Sequence, residues 1–280
     1  MKKEEKLIWD DIRHYAEQQV QKEPFLASLM HMNILSRNDL AESLVFIITE
    51  RLKTPMVLQD NLVREFHQVL DKHPEIMDDV IRDLQAVKER DPACESYAQA
   101  LLNFKGFQAV QTHRIAHELW KSDRKAFAGF LQNRVSEVFG VDTHPGAQIG
   151  HGFMMDHATG VVIGETAIIG NNVSMLHGVT LGGTGTETSK KRHPTIGDGV
   201  LLGAGCKVLG DILVGDNAKV AASSVVLKEV EHNVTVAGIP AKPVGRVSEP
   251  EPSRRMDHCN LNSQFDDVSS DSVVHVLERA

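Results

Sequence analysis

Apolar residues in the first half of the chain recur every three or four positions. Leu40, Leu44, Ile47, Ile48 and Leu52 form one such stripe, which Pro55 stops. Ile76, Val80, Leu84 and Val87 form a second, opened by Pro74 near the first turn. Phe127, Phe130, Leu131, Val135 and Val138 form a third. This spacing keeps apolar side chains on one face of a 3.6-residue helix, and proline is tolerated at its start. The first glycine is Gly106. Residues 1–140 are therefore expected to form an all-helical domain of about six to eight helices.

The period then changes. Ile163, Ile169, Met175 and Leu181 are six residues apart, and so are Ile196, Leu202, Val208, Val214, Val220 and Val226. A glycine follows many of these anchors: Gly164, Gly170, Gly182, Gly197, Gly203 and Gly215. Four residues past the anchor stands a small or apolar side chain: Ala167, Val173, Val179, Val200, Cys206, Ile212, Ala218 or Ser224. This is the hexapeptide repeat of a parallel β-helix. Each hexad supplies one short strand and one corner of a triangular prism. Three hexads close a coil, and coils stack at about 4.8 Å. The expected β-helix domain spans residues 141–246. Two stretches break the period. Ile149 to Ile163 is 14 residues, two more than two hexads, with the excess at Asp156–Gly160. Leu181 to Ile196 is 15, three more than two hexads, and residues 183–194 read as a loop thrown out of the prism. Such excursions mark binding faces.

Composition narrows the classes. The chain is 41% apolar and 24% charged, ordinary for a globular protein. A net charge of −8 gives no electrostatic footprint for nucleic acid or an anionic membrane. Cys94, Cys206 and Cys259 are odd in number and widely spaced, which argues against a disulfide framework and for a reducing, cytoplasmic setting. No signal-peptide core follows the charged start, and Leu44–Ile48 is too short to cross a bilayer. Past Arg246 a Ser/Glu/Pro linker opens a polar segment, 247–280, expected to be a disordered tail.

Candidate chemistry gathers at the two irregular stretches. His157 suits a general base because an imidazole titrates near neutrality. Asp142 lies 15 residues earlier, about one coil away, and suits a partner that fixes the imidazole tautomer. Lys190-Lys191-Arg192-His193 ends the loop; an arginine fork matches a carboxylate, and lysines match phosphate. His113 and His117 share one helix face, either as packed residues or as half a metal site. His151, His157 and His177 pose a second metal question, but His151 and His157 fall on different prism sides. Cys206 occupies an inward repeat position and reads as core.

Several motifs stand out together: Asp142-Thr143-His144-Pro145, Met155–Ala167, Val179–Gly185, Arg192-His193-Pro194 and Ala237–Lys242. The helical half adds Asp83–Val87, Arg90-Asp91-Pro92-Ala93 and Lys105–Ala109. By these the chain resembles the serine O-acetyltransferase family of hexapeptide-repeat acyltransferases. The resemblance covers about residues 5–246. The resemblance implies an α+β fold, a helical domain followed by a left-handed parallel β-helix. It implies a homo-trimer, or a dimer of trimers joined through the helical domains. It implies acetyl transfer from acetyl-CoA to the hydroxyl of L-serine, the first step of cysteine biosynthesis, with L-cysteine inhibiting at the serine site and no metal. His157 becomes the base, Asp142 its partner, and His193 a contact at the reacting end. Asp91 and Asp156 become ligands of the serine ammonium, and Arg192 of the carboxylate. Gly183, Thr184, Gly203, Ala204 and Ala222 become candidates along the pantetheine arm, with Lys242 near a phosphate.

Three other readings stay open: an acyltransferase with another acceptor, such as homoserine or an amino sugar; a zinc hydratase on the same scaffold; and a catalytically silent regulatory partner. One departure bears on partners. Family members that bind O-acetylserine sulfhydrylase end in isoleucine, whereas this sequence ends in Ala280. A missing apolar anchor forfeits roughly 1.5–3 kcal/mol, so weak or absent binding to that partner is expected. Titrating the sulfhydrylase with a peptide of the last ten residues tests this, and submicromolar affinity would defeat it.

Overall fold

A computed structural model describes residues 2–185, 190–247 and 251–256. Its first part is helical: α1 (Lys3–Lys22), α2 (Ala27–Met30), α3 (Leu40–Leu52), α4 (Gln59–Lys72), α5 (Glu75–Arg90), α6 (Tyr97–Asn103), α7 (Lys105–Lys121) and α8 (Lys125–Phe139). Local chemistry sets the ends. The Asp39 carboxylate caps α3 by accepting from the Glu42 N–H at 2.9 Å, and the Ser96 hydroxyl caps α6 through Gln99. Gly140, at φ 71°, ends α8 in the left-handed conformation that glycine adopts without strain. The α3 and α5 stripes are buried as their spacing requires. In α8 the stripe drifts: Phe139 is buried, and Val138 is 37% exposed.

The second part runs through β1 (Val141–Thr143), β2 (Gln148–Ile149), β3 (Met154–Met155), β4 (Val161–Ile163), β5 (Ile168–Ile169), β6 (Ser174–Met175), β7 (Thr180–Gly182), β8 (Thr195–Ile196), β9 (Leu201–Leu202), β10 (Lys207–Leu209), β11 (Leu213–Val214), β12 (Lys219–Val220), β13 (Val225–Val226), β14 (Val234–Gly238) and β15 (Ala241–Arg246). They form three sheets. Sheet I is β1-β4-β7-β10-β13, sheet II is β2-β5-β8-β11, and sheet III is β3-β6-β9-β12-β14-β15. The chain passes I to II to III and repeats, and all pairs are parallel except β14–β15. This is the parallel β-helix that the six-residue period predicts. Every anchor from Ile163 to Val226 is at most 2% exposed, and burying each such side chain contributes about 1.5–3 kcal/mol.

Register locates the irregularities. Met155 pairs with Met175 and Asp142 with Val162, so the first excess of two residues falls between β3 and β4, as the sequence places it. The second excess is larger than the sequence count. Leu181 and Ile196 lie on consecutive sides, β7 of sheet I and β8 of sheet II. The loop therefore adds nine residues to one hexad, not three to two. Residues 186–189 of it lie outside the described residues.

The helical domain closes the open end of the prism. In the second coil, the Ala167 and Ile169 carbonyls accept from Gln148 and Gly150 of the first coil. The matching carbonyls of the first coil, Ala147 and Ile149, have no coil beneath them. Buried α7 supplies the donors: His113 Nε2 meets Ala147 O at 3.2 Å, and Arg114 reaches Ile149 O at 3.2 Å and Gly150 O at 2.8 Å. Arg114 is fixed in turn by the fully buried Asp83 at 2.7 Å, whose other oxygen accepts from the Phe153 N–H at 2.8 Å. A solenoid needs such a terminal cap, since an unpaired backbone edge is costly when buried.

One part of the expected tail is ordered. Residues 251–256 carry a helical turn, α9 (Pro252–Arg255), with Pro252 and Ser253 buried. The Ser174 hydroxyl donates to the Ser253 carbonyl at 2.8 Å, and the Ser253 N–H reaches Gly199 O at 3.3 Å. The apolar Pro252 and the partners offered by the Ser174 hydroxyl and the Gly199 carbonyl outweigh the polar composition here. The remainder of the expected tail, 248–250 and 257–280, lies outside the described residues, Ala280 included.

Candidate active site

The corner between sheets III and I carries His157. It is the first member of a column. The strand registers place His177, Ala204 and Ala222 at the equivalent position on successive coils. Backbone bonds from Gly178 to Thr159, Gly205 to His177 and Ser223 to Ala204 tie the column together. Gly203 stacks beneath the next coil so closely that a Cβ there would lie 2.6 Å from Ala222 N. Gly203, Ala204 and Ala222 thus share an edge with His157.

The His157 corner is strained. His157 and Ala158 have φ 56° and 61°, uncommon for residues with a Cβ. Two hydrogen bonds each skip a single residue, Ala158 N–H to Asp156 O at 2.6 Å and Thr159 N–H to His157 O at 2.7 Å. These are consecutive γ-turns with positive φ, a rare conformation that persists only where surroundings enforce it. The start of α7 enforces it. A Cβ on Gly106 would sit 2.0 Å from Met155 O and 3.2 Å from Ala158 Cβ, so only glycine lets α7 abut the corner, and Lys105 Nζ donates to Thr159 Oγ1. The exposed His157 ring lies edge-on to His177 with centroids 5.7 Å apart. Its Nε2 is 3.6 Å from Asp156 Oδ2.

The corner between sheets I and II carries the other half of the predicted set. Gly183 and Thr184 leave it, and Arg192 and His193 return to it. His193 is buried, and its Nδ1 accepts from the Thr166 N–H at 3.1 Å, which places the ring proton on Nε2. The Thr166 hydroxyl lies 2.9 Å from Nδ1 and accepts from the Arg192 and His193 N–H groups at 3.0 and 3.2 Å. Thr166 organises this corner, and sequence analysis missed it; its only signal was a polar residue at a repeat corner. The repeat marks Gly164 only as a glycine that follows an anchor. Its reason is the His193 ring, which a Cβ would approach to 2.2 Å. Arg192 NH2 pairs with Glu165 at 2.7 Å, which aims its guanidinium. Lys191 acts as a clamp, donating to Thr166 O and His193 O.

Other expected residues stand apart. Asp142, on β1, accepts from Gln132 Nε2 of α8 at 2.7 Å and makes no hydrogen bond to His157 in this chain. Asp91 is the C-cap of α5, and its carboxylate accepts from the Ala93 N–H at 2.8 Å. Lys242 is exposed on β15, the last strand of sheet III. His113 and His117 use ring nitrogens on the Ala147 and Pro145 carbonyls, the packed role. His151 lies on the corner between sheets II and III, away from the His157–His177 pair. Burial pushes the Cys206 thiol up to about 12, so it is core and no nucleophile. Among the described residues no helix is long and apolar enough to cross a membrane.

Comparison with known proteins agrees over most of the chain. The N-terminal family of serine acetyltransferases matches residues 8–112, and the bacterial transferase hexapeptide (six repeats) matches residues 193–228. Serine acetyltransferase 4 of Arabidopsis thaliana is 50% identical over 262 residues, 94% of this chain and 74% of that one. A serine acetyltransferase from Brucella abortus strain S19, solved in complex with coenzyme A, superposes with a TM-score of 0.85 at 49% identity, covering 87% of this chain and 97% of that one. The Neisseria gonorrhoeae enzyme in complex with serine gives 0.82 at 48%, covering 84% and 97%. A serine acetyltransferase in complex with cysteine gives 0.87 at 45%, covering 90% and 97%. With a capped hexapeptide prism and relatives this similar along their length, the chain belongs to the serine acetyltransferase family of acyltransferases.

Proposed function

We propose that this enzyme transfers acetyl from acetyl-CoA to the hydroxyl of L-serine by direct attack, at a site built from two copies of the chain. The observation that carries this reading is the split between two prism edges. Asp156, His157, Ala204 and Ala222 stand on one edge, and Gly183, Thr184, Arg192 and His193 on another. One prism cannot turn both edges toward one ligand. Two prisms side by side can, and a homo-trimer, or a dimer of such trimers, repeats that groove at each contact.

In the groove, Arg192 holds the serine carboxylate, and Asp91 and Asp156 hold the ammonium. His157 removes the hydroxyl proton as the oxygen attacks the thioester carbon. Asp142 orients the imidazole, which requires His157 to rotate away from Asp156 and Asp142 to exchange Gln132 for the ring. The tetrahedral intermediate collapses by breaking the carbon–sulfur bond, and the leaving thiolate takes the proton back from His157. His193, its proton set on Nε2 by Thr166, donates at the reacting end. The base contributes about 10²–10⁴-fold, and juxtaposition of the two substrates supplies much of the remainder. The pantetheine arm lies along the small residues Gly203, Ala204 and Ala222, faced by Gly183 and Thr184, with Lys242 toward a phosphate. L-cysteine, with a thiol for the hydroxyl, occupies the serine contacts and inhibits. The complexes of relatives with coenzyme A, serine and cysteine support these ligands.

The test is thiol release from acetyl-CoA with L-serine, L-homoserine, glucosamine or no acceptor. Serine-dependent release that collapses in His157→Ala is expected. Co-assembly of the inactive His157→Ala and His193→Ala chains should restore part of the activity, because some grooves then receive both native edges. Failure to restore any activity would place the site within one chain and sink the two-copy reading.

A further inference from the structure

We propose a second ligand site, for a small dianionic oxyanion such as phosphate or sulfate, where the C-terminal end of α5 meets sheet III. Arg90 is its base, and Arg82, Lys88 and Arg254 are its rim.

The cleft there has a volume of about 420 Å³ and is lined by Arg82, Lys88, Arg90, His151 and Arg254, with Glu89 the one carboxylate in its lining among the described residues. Arg90 is the unusual member. It is 4% exposed, yet it forms no ion pair among the described residues. One guanidinium nitrogen, NH1, reaches Ser174 Oγ at 3.0 Å and Val173 O at 3.4 Å. Its Nε is buried with no hydrogen-bond partner. Burial lowers the guanidinium to about 10, which leaves it charged at neutral pH. Glu89, Asp83 and Glu251 favour its charge without pairing directly with it, and a buried cation with no directly paired counterion is costly.

The rim repeats the pattern. Arg82 and Lys88 make no ion pair or side-chain hydrogen bond among the described residues. Arg254 pairs with Glu251 at 2.9 Å and lies 3.8 Å from Glu89, so two carboxylates stand against four cations. This excess of positive charge sits in a chain of net charge −8. Cations in the last turn of a helix do complement its dipole. That role does not account for Arg90, whose guanidinium runs from the helix to the prism and binds Ser174. Arg82, Lys88 and Arg90, the members without an ion pair, suit a tetrahedral oxyanion around a small cleft, with an Arg fork meeting two oxygens and Lys acting as a point charge.

The site touches the catalytic machinery without belonging to it. Arg90 immediately precedes Asp91, and Ser174 also holds the α9 segment through Ser253. An oxyanion on Arg90 therefore braces α5, sheet III and α9 together.

The experiment is a calorimetric titration of the full-length chain, saturated with coenzyme A so that phosphate-binding groups elsewhere are filled. Ionic strength is held constant with chloride. Inorganic phosphate, sulfate, glycerol 3-phosphate and acetate are the titrants, against the wild type, Arg90→Gln and the Arg82→Gln/Lys88→Gln double variant. Saturable binding of phosphate and sulfate is expected, weaker by about tenfold in the rim double variant and lost in Arg90→Gln. The surface double variant keeps the test decisive if Arg90→Gln does not fold. Glycerol 3-phosphate binding as well as phosphate assigns the site to phosphate esters; binding of the inorganic ions alone assigns it to free oxyanion. Equal affinity for acetate, equal binding by the wild type and the double variant, or no saturable binding would each overturn the proposal.

Discussion

Two edges of the same prism treat their polar side chains in opposite ways. Along the corner between sheets II and III, side chains stitch coil to coil. Asn171 accepts from His151 N–H at 3.1 Å, Asp198 from Asn171 N–H at 2.6 Å, Asp216 from Asp198 N–H at 2.9 Å, and His232 Nδ1 from Asp216 N–H at 3.1 Å. Positive φ is taken there by Gly152, Asn172, Gly199, Asn217 and Asn233, residues that bear it well. Along the corner between sheets III and I the coils are tied by backbone bonds, with no such side-chain ladder among the described residues. Its column is His157, His177, Ala204 and Ala222; Gly160, Gly178, Gly205 and Ser223 take positive φ there, and in the first coil so do His157 and Ala158. The first edge uses polar atoms to hold the solenoid together. The second leaves them, and small residues, for something outside the chain. Function in this repeat therefore lies where the repeat's own capping chemistry has been given up.

The largest effect expected from breaking this contrast is on rate. His157→Asn keeps a side chain that tolerates positive φ, so the corner stays intact. Acetyl transfer to serine should fall about 10²–10⁴-fold while the melting temperature holds. A large drop in melting temperature instead would recast His157 as a stitching residue like Asn171. Next comes Asp83→Ala, which strands the buried Arg114 and frees Phe153 just before β3. Removing one partner of a buried pair costs about 3–5 kcal/mol, to be read from the urea midpoint. A loss below about 1 kcal/mol would show that α7 caps the prism without its carboxylate.

A smaller effect depends on pH. Burial lowers His113 from 6.5 to about 3, so the folded chain excludes a proton that the unfolded chain binds. Its contribution is whole above pH 6.5 and is lost as pH falls, at about 1.4 kcal/mol per unit, or about 2 kcal/mol by pH 5. His113→Gln, which still donates to Ala147, should flatten that slope in melts run from pH 7 to pH 5; an unchanged slope would exclude His113 as its source. The smallest effect belongs to the stitched edge. Asp198→Ala removes one acceptor from an exposed ladder and should cost about 0.5–1.5 kcal/mol without changing the rate of acetyl transfer. A rate loss equal to that of His157→Asn would erase the distinction between the edges.

Much of this was legible in the residues. The period of six predicted the prism, and its first interruption predicted where His157 would protrude. Three things were not legible, for physical reasons. The α7 helix is buried on all sides, and its polar residues Gln111, His113 and Arg114 face neighbours rather than water, so no amphipathic stripe announces it as the cap. Leu181 and Ile196 keep their inward positions whatever the loop between them does, so counting hexads misjudged the excursion. Gly164 and Thr166 look like repeat punctuation, because the ring that needs them, His193, comes back from 27 residues later. The Asp142–His157 pairing fits the one-coil spacing, yet Gln132 holds the aspartate in this chain. Spacing specifies a layer, not a rotamer.

The helical cap also has a consequence in time. Synthesis delivers residues 1–140 before any hexad emerges, and domains fold in that order as they leave the ribosome. His113 and Arg114 are then already in place when Ala147, Ile149 and Gly150 appear, so the first coil is laid on a finished platform and each later coil on the one before. A circular permutant with the helical domain moved to the C-terminus would build the prism from an unfinished end, with bare strand edges exposed to other nascent chains.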